Sequence, residues 1–440
     1  PANAKTAVVS LYTTSSTATG FATAYPSLTT RPTTTTSTID KIGRKVRNLV
    51  HVRLGTDGAF ELYRSNSLQF VVDLVGVYTT VTETVSAGRL VLQPRGPVRV
   101  LDTRAAFGSV NNLSNVGRFA AGTTSTVDLA PAGVPAGASA VVLNLVAINA
   151  NIGNWSTYRD GSPAPRASAL VTDESRQTRD SQAIVGLFGT TRSLKIYSQA
   201  GGDFVIDVVG WYTGDTEPRS AEGLYFPRGS SIRRLDTTKL TGLAPWGGST
   251  YEFAIQNPST CPNCVMAAVY SVTASLPWNN GTVNTYGAGL QRPALSGLRL
   301  TKWRQRVTNA AIAAVSNRGG AVYLDAGAHV QVDVIGMFLG TQPVATNAVP
   351  TNPRYSPNVA ARVYSNQASV NVGIRTGTNL NYIADLGYAG GWTDRTNVAQ
   401  RGNIMLFGHR TSGKAPFRYL DQFAVNETFT IIGSDLHKYV

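Results

Sequence analysis

One strand is written three times in this chain. Residues 70–78 read FVVDLVGVY, residues 204–212 read FVIDVVGWY and residues 330–338 read VQVDVIGMF. Asp73, Asp207 and Asp333 hold the same place in each copy, so the repeating unit is about 130 residues, a domain rather than a solenoid turn or a propeller blade. Other segments recur in the same order. RLVLQPRGPVRVLDT at 89–103 matches GLYFPRGSSIRRLDT at 223–237, and TAVVSLYTT at 6–14 matches SAVVLNLVA at 139–147 and MAAVYSVTA at 266–274. The first copy lacks the segment that carries LDT, so the sequence is expected to open partway through a module.

Each copy consists of short Val/Thr/Tyr-rich runs, many with apolar residues at every second position, broken by Gly, Pro, Asn and Ser turns. That pattern signals a sandwich or barrel. The expected fold class is all-β, with tandem antiparallel β-sandwich modules of jelly-roll-like character. Module 1 spans 1–80, module 2 spans 88–214 and module 3 spans 222–340. A Pro/Thr/Asn linker follows at 341–358, and a segment of different composition fills 359–440.

The chain of 440 residues is 42% hydrophobic and 15% charged, a globular balance. No apolar stretch is long enough to cross a membrane as a helix. The net charge of +14 draws such a chain toward polyanions. Its arginines are scattered between strands rather than gathered on a helix or interleaved with aromatics, so nucleic acid is not the expected partner. An anionic envelope polymer suits the charge better.

The aspartates in the repeated strand and in the LDT segments form a recurrent set: Asp73, Asp102, Asp207, Asp236 and Asp333. Paired carboxylates of this kind suit either calcium or a buried structural role held by arginine and backbone NH groups. The structural role is preferred, because a buried ion must be paired to be tolerated. Where module 2 has LDTR, module 3 has LDTT, so an Asp–Arg partnership is not uniform. Cys261 and Cys264 form the only Cys-x-x-Cys. It suits a redox pair, half a zinc site or a local disulfide. The zinc reading lacks two nearby ligands and the redox reading lacks a helix N-terminus, which favours a structural disulfide in an exported protein. Neither a cofactor nor a metal is expected.

The landmarks RVLDTR at 99–104, VPAGASAVVLN at 134–144 and DVVGWY at 207–212 resemble the repeats of large secreted or surface-attached actinobacterial proteins. That resemblance covers residues 1 to about 340 and implies an extracellular location with a scaffolding or adhesive role. The final segment contains GGW at 390–392, GNIMLFGHR at 402–410, APFRYLDQF at 415–423 and ETFTII at 427–432. It resembles the first half of a sortase of the class E and F type, which implies part of a closed β-barrel and places His409 at the family's catalytic histidine. Sortase chemistry also needs a cysteine nucleophile and an arginine for the oxyanion. In that family both follow the histidine, and here no cysteine does. The segment is therefore expected to represent part of a barrel: a fragment, a domain completed by a second chain, or a remnant.

Three functions fit these residues. The leading one is an extracellular, cell-wall or cell-surface protein of structural or adhesive role, with equal units in series forming a stiff, elongated body and a filament or sheath as one form. Its partners would be envelope polymers, surface proteins or further copies of itself. The second is a sortase transpeptidase on a β-repeat stalk. The third is a glycan-binding module using Trp155, Trp246, Trp278 or Trp303 as platforms. His51, His329 and His437 are expected at the surface.

Overall fold

Val, Thr and Tyr pack well on a pleated surface, and in the computed structural model their runs become strands throughout, so the fold is all-β. The structure describes residues 3–350 except 82, 240–244, 246, 259–263, 276, 278–279, 303–304 and 326. Beyond 350 it describes 361–365, 370–376, 383–384, 388–391, 405–412, 415–433 and 438–439.

Module 1 comprises β1 (Ala4–Thr14), β2 (Gly20–Pro26), β3 (Ser37–Ile39), β4 (Val46–Arg53), β5 (Phe60–Arg64) and β6 (Gln69–Thr79). They form two antiparallel sheets, ordered β4-β1-β6 and β3-β2-β5. Module 2 begins with β7 (Leu90–Leu92), β8 (Val98–Asp102) and β9 (Thr123–Asp128), followed by β10 (Ala140–Ala150), β11 (Gly153–Arg159) and β12 (Leu170–Thr172). It ends with β13 (Gln177–Gly186), β14 (Ser193–Ser198) and β15 (Asp203–Tyr212). Its sheets run β13-β10-β15-β7, with β8 also on β15, and β12-β11-β14-β9.

Module 3 opens with the long β16 (Tyr225–Asp236) and β17 (Ser249–Phe253), then β18 (Val265–Ser275), β19 (Gly281–Gly287) and β20 (Leu298–Leu300). β21 (Arg306–Ala314), β22 (Gly320–Leu324) and β23 (His329–Leu339) complete sheets ordered β16-β23-β18-β21 and β17-β22-β19-β20. The repeated strand is thus β6, β15 and β23. In modules 2 and 3 it is flanked by the strands that carry LDT; in module 1, among the described residues, β6 pairs with β1 on one side only.

The strands β1, β10 and β18 are buried on both faces. Alternate residues of each enter the module's own core: Ala7, Val9 and Leu11; Val141, Leu143 and Leu145; Ala268, Tyr270 and Val272. The residues between them face the neighbouring modules. Val142, Val209 and Tyr212 of module 2 share one apolar cluster with Met266, Val269 and Phe338 of module 3, and Tyr78 of module 1 packs against it. Tyr78 and Tyr212 join their hydroxyls at 2.5 Å, and Tyr78 stacks on Tyr225 with ring centroids 4.0 Å apart.

Equivalent side chains close this packing into a ring. Ser10 of β1 donates its Oγ proton to the Ser168 carbonyl at 3.2 Å, from module 1 to module 2. Asn144 of β10 donates to the Ser296 carbonyl at 2.8 Å, from module 2 to module 3. Ser271 of β18 donates to the Thr35 carbonyl at 2.5 Å, from module 3 back to module 1. The modules are therefore arranged around a quasi-threefold axis, and the expectation of separate units in series is corrected. Shared burial between the sheets, not the linkers, sets their arrangement.

In the terminal segment, β24 (Ala361–Ser365), β25 (Val370–Thr376), β26 (Ala389–Gly391), β27 (Leu406–Phe407), β28 (Thr430–Gly433) and β29 (Lys438–Tyr439) form one sheet, ordered β27-β26-β25-β24-β28-β29. β25 and β26 pair in parallel. Among the described residues this sheet is open rather than the closed barrel that the sortase resemblance implies.

Candidate functional site

The landmark aspartates sit on the repeated strand and its flanking strand. Asp207 on β15 lies opposite Arg99 on β8, which grips it with Nε–Oδ1 2.8 Å and Nη2–Oδ2 3.3 Å. Asp333 on β23 lies opposite Arg233 on β16, with the corresponding bonds at 2.8 and 3.0 Å. Both are forked pairs, the strongest geometry for a guanidinium on a carboxylate. Burial pushes the Asp207 and Asp333 carboxyls up, opposed by those arginines.

Asp102 is held by Arg104 through bonds of 2.9 and 2.8 Å, with Arg99 3.6 Å away. Burial works against its charge, but Arg104 keeps the carboxyl below its ordinary range. Asp236 takes Arg233 at 3.2 Å, with the Thr238 hydroxyl and the Gln331 amide as further partners. Module 3 thus replaces the missing LDTR arginine with the one three residues upstream. Asp73 on β6 takes Arg47 of β4 at 2.7 Å. No group of His, Cys, Asp or Glu suited to a metal ion occurs among the described residues.

A second charged cluster, not anticipated from the sequence, joins the three modules. Arg44, almost fully buried, holds Asp40 at 2.5 and 3.0 Å, Asp173 at 2.9 Å and Glu174 at 3.3 Å. Lys41 of module 1 and Lys302 of module 3 both reach Glu174 of module 2. Burial opposes ionisation there, yet Lys302, Lys41 and Arg44 bring the Glu174 carboxyl down to about 2. Arg179 donates to the Lys45 carbonyl at 2.6 Å, closing the seam between modules 1 and 2. The sequence signal was available as DKIGRK at 40–45 and DESRQTR at 173–179, two turn segments at equivalent places in the repeat.

The histidines depart from expectation. His51 and His329 are buried, and His437 lies outside the described residues. His51 stacks against Tyr78 with its Nε2 3.4 Å from that hydroxyl, and burial brings its imidazole down to about 3. His329 lies with Nδ1 3.4 Å from Thr237 Oγ1. The tryptophan platform is also corrected at Trp155, which is fully buried between Phe119 and Phe204. Trp246, Trp278 and Trp303 lie outside the described residues. Cys264 is disulfide-bonded, and Cys261 lies outside the described residues.

The segment 406–423 brings its motif together. His409 Nδ1 is 2.9 Å from Ser412 Oγ, and the Phe417 NH donates to the His409 carbonyl at 3.2 Å. Gly408 is required, since a Cβ there would stand 2.8 Å from the Phe417 ring. Phe417 packs with Leu406, Phe423 and Phe429 onto the core of Val363, Val370, Val372 and Ile374. Among the described residues there is no free thiol.

Between modules 2 and 3 lies a cavity of about 730 Å³. Leu90, Leu92, Val209, Met266, Leu290 and Leu295 give it aliphatic walls, and Gln93, Arg95, Gln182 and Gln291 add polar groups. Its volume falls within the range of small-molecule pockets. At the equivalent junction of modules 3 and 1, Arg228–Ser231 lie with Tyr25 and Pro26 around only about 50 Å³.

No family model and no curated protein matches the chain. Two solved structures of viral proteins show a faint similarity. One is described as the atomic structure of Sulfolobus Turreted Icosahedral Virus, at 9% identity and a TM-score of 0.15 over 78% of this chain and 82% of that one. The other is described as the triple jelly roll fold and turret assembly in an archaeal virus, at 8% identity and a TM-score of 0.15 over 78% and 81%. Likeness at that level carries no argument about this chain.

Proposed function

We propose that this chain is an extracellular envelope protein with a structural or adhesive role, its three repeats acting as one rigid head. The observation that carries this reading is the closed ring of module contacts. Its recurrent ionisable groups are engaged in holding strands and modules together, as in Arg99–Asp207, Arg233–Asp333 and the Arg44 cluster. A scaffold needs such fixed pairs, whereas a catalytic group needs a titratable proton near the working pH. The net charge of +14 supplies attraction to anionic wall polymers. Co-sedimentation with a purified anionic wall polysaccharide tests it: binding at low salt that falls steeply with ionic strength is expected, and failure to sediment even at low salt overturns it.

A second reading has its own support. The pairing of the GHR turn with the APF segment, through Phe417 to the His409 carbonyl, suits a sortase-like segment whose histidine would serve peptide acyl transfer when a cysteine nucleophile and an arginine outside the given sequence join it. Transfer of a labelled sorting peptide to an amine by this chain, abolished in His409→Ala, would establish that reading in place of the scaffold.

A further inference from the structure

The junction of modules 3 and 1 and the junction of modules 2 and 3 are lined by equivalent residues, yet only one of them is filled. Ser10 of β1 and Ser271 of β18, which bond across successive junctions, fix the correspondence. Leu49 and Arg53 of β4 pair with Ser10 and Thr6, and Ala310 and Ala314 of β21 pair with Ser271 and Ala267. Pro26 and Gly287 likewise follow Tyr25 and Tyr286 on β2 and β19. At the junction of modules 3 and 1, where Leu49, Arg53 and Pro26 stand, about 50 Å³ remains. At the junction of modules 2 and 3 two alanines and a glycine take those places, and the space is about 730 Å³.

The walls define what can occupy it. Leu90, Leu92, Met266 and Leu295 give water few polar partners, and an empty space of this size forfeits packing on every side. One polar group is left over. Gln182 is 6% exposed and lines the cavity; its Oε1 accepts from the Ile312 NH at 2.8 Å, while its Nε2 donates to no group among the described residues. A buried amide NH without an acceptor costs free energy that a guest's oxygen would recover. Charge is not matched in the same way. Arg89 is committed to the carbonyls of Ser86, Pro218 and Glu222, and the Glu222 carboxylate takes the Thr341 NH. Arg95, the other cation of the lining, is exposed. A guest's charge therefore has no buried counter-ion, whereas a neutral carbonyl needs none.

We propose that the cavity between modules 2 and 3 binds an uncharged aliphatic carbonyl compound, an ester or amide of a fatty acid. Its chain lies against Leu90, Leu92, Met266 and Leu295, and its carbonyl oxygen accepts from Gln182 Nε2. Methionine and leucine adapt to a flexible chain, and the single polar group sets which part of the guest lies where. Ala310, Ala314 and Gly287 make the room that their counterparts in module 1 take up. The site does not depend on the envelope function.

The test uses the full chain with carbon-13 in its methionine methyl groups, titrated with methyl octanoate and followed by NMR. A saturable shift of the Met266 methyl resonance is expected, while Met337 and Met405 stay in place. Gln182→Leu weakens binding about tenfold, as for one lost hydrogen bond. Ala314→Leu fills the space and abolishes the shift without lowering the urea unfolding midpoint. Ala310→Leu, which installs the residue module 1 carries at that place, does the same and decides the matter if Ala314→Leu fails to fold. Octanoate at pH 7.5 binds at least about tenfold more weakly than the ester. No shift of Met266 up to the solubility limit of the ester, an undiminished shift in the folded alanine variants, or octanoate binding as tightly as the ester would each overturn the proposal.

Discussion

Acidification should weaken the head through His51. In the unfolded chain an imidazole titrates near pH 6.5, whereas burial against Tyr78 holds His51 down to about 3 in the folded protein. With the folded value below the unfolded one, the unfolded state binds the proton first, so stability is unaffected above about pH 6.5 and falls as pH drops below it. Each pH unit in that window costs about 1.4 kcal/mol, or roughly 2 to 3 kcal/mol at pH 4.5. Other groups tilt the total profile: burial pushes the Asp180, Asp207 and Asp333 carboxyls up, which opposes the loss. Asp102, Asp173 and Glu174 lie low and add to it. The clean quantity is therefore the difference between wild type and His51→Gln, taken from urea unfolding followed by tryptophan fluorescence between pH 8 and 4.5. Wild type should lose roughly 2 to 3 kcal/mol relative to the variant across that range. A difference that stays constant with pH refutes the reasoning.

Two substitutions probe the ring directly, and a third probes strand packing inside module 2. Arg44→Met leaves Asp40 buried without its guanidinium and Asp173 with only the more distant Arg179, and should lower the unfolding free energy by about 3 to 5 kcal/mol, read from the urea midpoint. Asn144→Ala strands the buried Ser296 carbonyl and should cost about 1 to 2 kcal/mol by the same measurement. Gly210→Val drives a side chain into the Val91 carbonyl and should lower the melting temperature, by several degrees for each kcal/mol lost, whereas Gly76→Val, where an added Cβ meets nothing within 4 Å, should leave it unchanged.

The sandwiches were legible because strand periodicity and turn spacing are local properties. The three aspartates marked the repeat, and their ladder positions follow from a side-chain period of two. The ring was less legible, since nothing local says which outer face meets which. A signal existed nonetheless. AVVSLY, AVVLNLVA and AAVYSVTA are near-continuous apolar runs where a half-exposed strand would alternate, as expected of strands covered on both faces. Ser10, Asn144 and Ser271 interrupt those runs at the positions that bond across the junctions. His51 sits in VRNLVHVR, where Arg47, Asn48 and His51 read as a polar strand yet every residue from Val46 to Val52 is buried, which is why a surface assignment failed there. The large cavity between modules 2 and 3 depends on which residues meet across the junction, which no local pattern states.

The contacts running from the first module to the second, the second to the third and the third to the first are head-to-tail and closed. The peptide connections at 80–88 and 213–222 are therefore tethers rather than joints. Cutting either should leave the pieces associated, and a circular permutant that begins at the second or third module should refold to the same body.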